Sequence, residues 1–173
     1  MPIWHLGASV FLFRWIFRDP RVDLRFLALG ALAPDLVDVP LAMALGFPHD
    51  AHRLWGHTLA AAGLVMAVVL LSRRRGRARK PWMALSVGVF FHLLLDGMWA
   101  LPETLLWPFL GVAFTPTGVG GLADLWGRVG WWALAGEVVA GVYLALIWAW
   151  APPEDRAGFR STGVLRVGEP PSL

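Results

Sequence analysis

The stretch from Trp82 to Pro102, WMALSVGVFFHLLLDGMWALP, decides how the rest of the chain is read. It is long and apolar enough to cross a bilayer, yet it carries His92 and Asp96. On a helix, residues four apart project from one face, one turn above the other. An ionisable side chain in hydrocarbon costs roughly 3 kcal/mol or more, so it usually faces a bundle interior and serves a function. Imidazole and carboxylate on one face suggest a metal site. The other segments can then be searched for ligands at the same depth.

Composition sets the class. The chain has 173 residues, 57% of them hydrophobic, and a mean hydropathy of +0.59. These values predict an all-α fold: a multi-pass transmembrane helical bundle of about five crossings, with a short outer segment broken by Pro and Gly. Many of the 11 Trp stand near segment ends, as interfacial anchors do. There is no cysteine, which excludes disulfides and thiolate metal sites and leaves His, Asp, Glu and water as ligands. The formal charge is +3, but the cations are not spread as in a nucleic-acid-binding surface. All fifteen Lys and Arg except Arg53 and Arg128 fall between Arg14 and Arg25, Arg73 and Lys80, or Arg156 and Arg166. That asymmetry is the positive-inside pattern of a multi-pass inner (plasma) membrane protein with basic loops in the cytoplasm. The bilayer is the expected partner, and no nucleic acid is expected.

The opening lacks the basic region and cleavage site of a secretory signal, so residues 3 to 18 are read as a retained helix with His5 at its outer end. After Asp19-Pro20, residues 24 to 46 return as a second crossing that contains GALAPDLVD. Pro34 should bend it, and Asp35 and Asp38, three apart, share a face. At ~1.5 Å per residue, Asp35 lies about 16 Å from the basic side, His92 about 15 Å and Asp96 about 21 Å. The loop FPHDAHRLWG holds His49, Asp50, His52 and Arg53, and His57 opens the third crossing. The fourth runs from Trp82 to about Leu101, and residues 103 to 129 read as the broken outer segment. The last crossing, about 130 to 151, carries Glu137. Residues 1–152 thus form the transmembrane unit, and 153–173 read as a polar, disordered cytoplasmic tail.

Six side chains reach one depth in the outer half: His5, Asp35, Asp38, His57, His92 and Asp96. His57, His92 and Asp96 make one set for a divalent metal, and His5 with Asp35 or a shared Asp96 could hold a second ion. Asp38 is either a ligand or a carboxylate that orients a histidine. Zinc is the first choice, with manganese and iron as alternatives. The competing account is that these groups merely tie helices together. The zinc-protease HExxH, the GxSxG elbow, the Walker loop and GxGxxG are all missing. Chemistry would then come from metal-activated water, with Asp35 as general base and Arg53 as a clamp for phosphate or carboxylate. The roles of His49, His52, Glu103 and Glu137 stay open.

The His5-Leu6 start, GALAPDLVD, HRLWGHTL and HLLLDGMWALPETLLWPFLG together resemble the membrane-bound metal-dependent hydrolase family, also described as LexA-binding, inner-membrane-associated hydrolases and as YdjM-like. The resemblance covers roughly residues 1 to 112. More distantly, the order His, Asp, His, HxxxD is similar to zinc-dependent phospholipase C. That likeness implies His57, His92 and Asp96 on one zinc, His5 near a second, and Asp35 as base or bridge. The further His/His/Glu set of those soluble enzymes has no counterpart, because no histidine follows His92. The expectation is therefore a membrane-embedded hydrolase of a lipid or lipid-linked phosphoester. A metal-binding or transport protein using the same cluster is the alternative, and a scaffold that binds no metal is the second rival.

Overall fold

The computed structural model describes residues 1–47, 53–114 and 130–167. Among these, all regular structure is helical. Helix α1, Pro2–Phe17, starts on a proline, which has no N–H to waste in a first turn. It ends where Arg18 turns left-handed. Helix α2, Leu24–Ala44, is capped by Asp23, whose carboxylate accepts from Arg25 N–H at 3.0 Å. Thr58 caps α3, Leu59–Ser72, through its hydroxyl. Helix α4, Lys80–Leu95, stops at Asp96 because Gly97 adopts φ +67°. The crossing expected to run to Leu101 therefore ends about a turn and a half early. A 3₁₀ turn, Met98–Ala100, and the short α5, Pro102–Leu105, follow. The long α6 spans Gly130–Trp150.

Helix α2 is the centre of the bundle. It packs on α4 and α1, while α1 also packs on α6 and α3 on α4. The α2–α4 crossing is made by glycine. A Cβ at Gly88 would stand 2.5 Å from the Leu27 carbonyl oxygen, and one at Gly30 would collide with the carbonyl of Leu85. In a membrane, where apolar burial between helices gains little, such close backbone approach is a main source of association. Helix α1 meets α6 in the same way, with Gly7 against Ala140.

Among the described residues, two helices are long and apolar enough to cross a membrane, Leu24–Ala44 and Gly130–Trp150. The helices α1, α3 and α4 are shorter, at 16, 14 and 16 residues. Large apolar side chains point outward, among them Trp15, Leu36, Leu71, Trp131 and Val139. The buried apolar core lies nearer the basic end, where Phe13, Val22, Leu27, Phe91 and Ile147 cluster.

The tail is not disordered as the sequence suggested, at least through Val167. Residues Pro153–Thr162 form a helix, α7, and the chain then folds back against the bundle. Gly163 turns at φ +68°, its carbonyl accepts from Leu24 N–H at 2.8 Å, and Leu165 is buried. Arg25 donates to the carbonyls of Arg160 and Ser161, and Arg14 to that of Leu165. Composition missed this because the glue is backbone carbonyls and cations from the body, which polarity counts do not register. Residues 168–173 lie outside the described residues.

Two predictions follow from this packing. Gly88→Val should lower stability by about 1–3 kcal/mol or more, since the obstacle is backbone and cannot swing aside. Thermal unfolding in detergent reads it, and an unchanged midpoint would mean that the helices do not meet there. The second concerns Asp155, which Arg166 grips through two nitrogens, holding its carboxyl below the usual carboxylate range. With the folded pKa depressed, this contribution is present above about pH 4 and lost as pH falls through the folded value. Asp155→Asn should make residues 153–167 susceptible to protease at neutral pH, as acid does for the parent chain.

Candidate metal centre

The first turn of α1 brings His5 inward. Glu137 on α6 accepts the Trp4 backbone N–H at 3.0 Å, and His5 Nδ1 faces the Met1 carbonyl at 2.7 Å. Glu137, which had no evident partner in the sequence, thus holds the end of the helix that presents His5. On α2, Pro34 cannot donate to the carbonyl of Gly30 and loosens that turn. The neighbouring Ala31 carbonyl receives His92 Nδ1 at 2.7 Å.

Asp38 organises the turn before α3. It is fully buried, and its two oxygens accept the N–H groups of Leu54, Gly56 and His57 at 2.8, 2.9 and 3.2 Å. It also takes His57 Nδ1 at 2.8 Å. Of the two roles open for Asp38, the geometry matches the orienting one and not the ligand. Its lone pairs are committed behind His57, and it belongs to neither ligand cluster.

The consequence is shared by all three histidines. Each Nδ1 faces an oxygen that can only accept, so in the neutral ring Nδ1 carries the proton and Nε2 is a bare lone pair. Those lone pairs converge. His57 Nε2 lies 3.1 Å from His92 Nε2, and the His5 and His92 rings stack at 4.3 Å. His5 Nε2 is buried without a hydrogen bond, with Asp96 Oδ1 3.3 Å away. Asp35 Oδ1 stands 3.4 Å from His57 Nε2 and 3.7 Å from His92 Nε2. Lone pairs this close repel unless a proton or cation lies between them, and the two carboxylates stabilise either.

Among the described residues, two groups have ligand atoms all within 4.8 Å of one another: His5, His92 and Asp96, and Asp35, His57 and His92. These buried groups could hold a metal ion, and the mixed nitrogen and oxygen donors fit a divalent transition metal. The sets differ from the expected His57–His92–Asp96 trio. Asp96 has swung toward His5, although its Oδ2 is still 3.6 Å from His57 Nε2. Arg53 donates from Nε to that oxygen at 2.7 Å, so it stands beside the cluster as expected, but paired with a ligand. Asp35 is the most open member, with a side chain 34% exposed, against 14% for Asp96 and none for His57 and His92. His49 and His52 lie outside the described residues. Glu103 stands in the first turn of α5.

The described residues thus define an all-helical protein that encloses a buried His/carboxylate cluster and has two helices long and apolar enough to cross a membrane. The chain belongs to the YdjM inner membrane protein family, whose sequence pattern matches residues 2–154. No curated protein and no solved structure matches it.

If the centre is a metal site, the parent protein should purify with stoichiometric metal by elemental analysis, and His92→Ala should lose it. Asp38→Asn, which alters the acceptor behind His57 and the turn it organises but removes no atom of either ligand group, should weaken affinity by about 10- to 100-fold. Absence of stoichiometric metal from the parent protein would show that the cluster only ties helices together, and full loading of His92→Ala that the metal is held elsewhere.

Proposed function

We propose that this protein is a membrane-embedded, metal-dependent hydrolase that cleaves a phosphoester of a lipid or lipid-linked substrate. The observation that carries the reading is the convergence of three bare imidazole nitrogens with two carboxylates, one of them open. His57 and His92, joined by His5 and Asp96, would hold a divalent cation, zinc by preference, with the Asp35 carboxylate beside it. His92 belongs to both groups, which favours one shared centre over two independent ones. When bound, the cation supplies Lewis acidity and lowers the pKa of water.

The chain's own residues supply the rest. Asp35, the exposed carboxylate, takes the proton of the attacking water as general base. Arg53 keeps Nε on Asp96 and brings its guanidinium to the rim, where a phosphate would dock. Asp38 and the Ala31 and Met1 carbonyls hold the imidazoles so that no ligand turns away during the reaction. A site enclosed by helices whose outer faces are apolar suits an amphiphile that enters from the bilayer.

We place α1, α2, α3, α4 and α6 in the membrane as five crossings, with the Lys/Arg-rich loops in the cytoplasm by the positive-inside rule and the site toward the outer side. The short α1, α3 and α4, about 21–24 Å long, would be accommodated by local thinning of the bilayer.

Turnover of a panel of lipid phosphates by the purified, metal-loaded protein tests the proposal. Asp35→Asn should lower turnover by about 10²- to 10⁴-fold while metal is retained. Metal flux in proteoliposomes with no turnover on the panel would replace the hydrolase with a transporter.

A further inference from the structure

A second feature lies at the far end of the bundle. A cavity of about 890 Å³ opens between the end of α1, the turn before α2, the start of α4 and the docked C-terminal segment. Phe17 on its wall is twelve residues from His5, so it lies about 18 Å along the helix from the candidate metal centre. Five cationic side chains line it against two carboxylates. Both acids have cationic partners already: Asp19 pairs with Lys80 at 3.3 Å, and Asp23 with Arg25 at 2.7 Å. Arg75, Arg77 and Arg79 carry the cationic excess, and among the described residues no carboxylate is paired with them. The opposite wall is apolar, formed by Phe13, Phe17, Met83 and Val87.

We infer that this cavity binds an anionic phospholipid, with the phosphate on Arg75, Arg77 and Arg79 and an acyl chain along Phe13, Phe17 and Val87. Guanidinium forks match phosphate oxygens, and a run of basic residues at a membrane surface gains from anionic lipid. A soluble anion would use the arginines but leave the aromatic wall without a partner. The cavity is of the size that holds a headgroup and the beginning of a chain. Thr162 and Val164 form part of its wall, so the docked C-terminal segment completes the site.

Binding is measured on the purified full chain in zwitterionic micelles, titrated separately with phosphatidylglycerol, phosphatidylcholine, glycerol phosphate and inorganic phosphate. Phosphatidylglycerol should bind stoichiometrically and phosphatidylcholine should not. The two soluble anions should bind at least about tenfold more weakly. Replacing Arg75, Arg77 and Arg79 together by Gln should weaken phosphatidylglycerol by about tenfold or more. A charge-matched control, Arg18, Arg74 and Arg156 to Gln, lies off the cavity and should change it little. Val87→Phe removes no charge but fills the apolar part, and should also weaken binding. Equal loss in the control variant would reduce the effect to general surface charge. Equal binding of phosphatidylcholine, or of inorganic phosphate alone, would overturn the inference, as would phosphatidylglycerol binding that survives both the triple replacement and Val87→Phe.

Discussion

Three imidazoles each give one nitrogen to an oxygen of the fold, and that single constraint orders the rest of the molecule. The oxygens are the Met1 carbonyl, the Ala31 carbonyl and the Asp38 carboxylate. Once those bonds are made, the remaining nitrogens of the neutral rings can only accept, and they face one another in a buried cluster. A protein interior does not tolerate that arrangement without a positive charge to fill it. The helices that bring the rings together and the carboxylate that builds a turn are both means to this end.

The frame around the centre comes from small residues. Gly30 and Gly88 let α2 and α4 touch backbone to backbone, and Gly7 does the same for α1 against Ala140. At the first of these contacts no side chain separates the helices that carry Asp35 and His92. Glu137 then ties the last long helix to the first turn of the chain. In hydrocarbon, where squeezing out water offers little gain between helices, close approach and a few polar ties do most of the holding.

Much of this was legible in the residues. Hydropathy and helix rise were enough to bring His5, Asp35, His57, His92 and Asp96 to one level, because depth in a bundle follows from counting along each segment. The starts expected at residues 3 and 24 fall within one residue of the observed Pro2 and Leu24. What stayed hidden was the partner chemistry. Nothing in the letters says that the carbonyl of Ala31 will meet His92, or that Asp38 will spend both oxygens on a turn sixteen residues away. Backbone acceptors carry no sequence signal, so Asp38 could be placed at the right depth with its role undecided. The tail failed differently: α7 is polar, and its docking rests on Arg14, Arg25 and backbone carbonyls that no composition measure weighs. Gly97 ended α4 early, a stop that its position just past an apolar run could have signalled.

The contact between Gly30 and Gly88 has one more implication. Because two peptide chains abut there with no cushion, the gap between the Asp35 and His92 anchors is set by main-chain atoms and not by rotamers. Exchanging residues around the rim would alter charge and access but would not change the calibre of the chamber. Discrimination among ions by radius would then be a property of the scaffold, and altering it would require changing how closely the two helices sit.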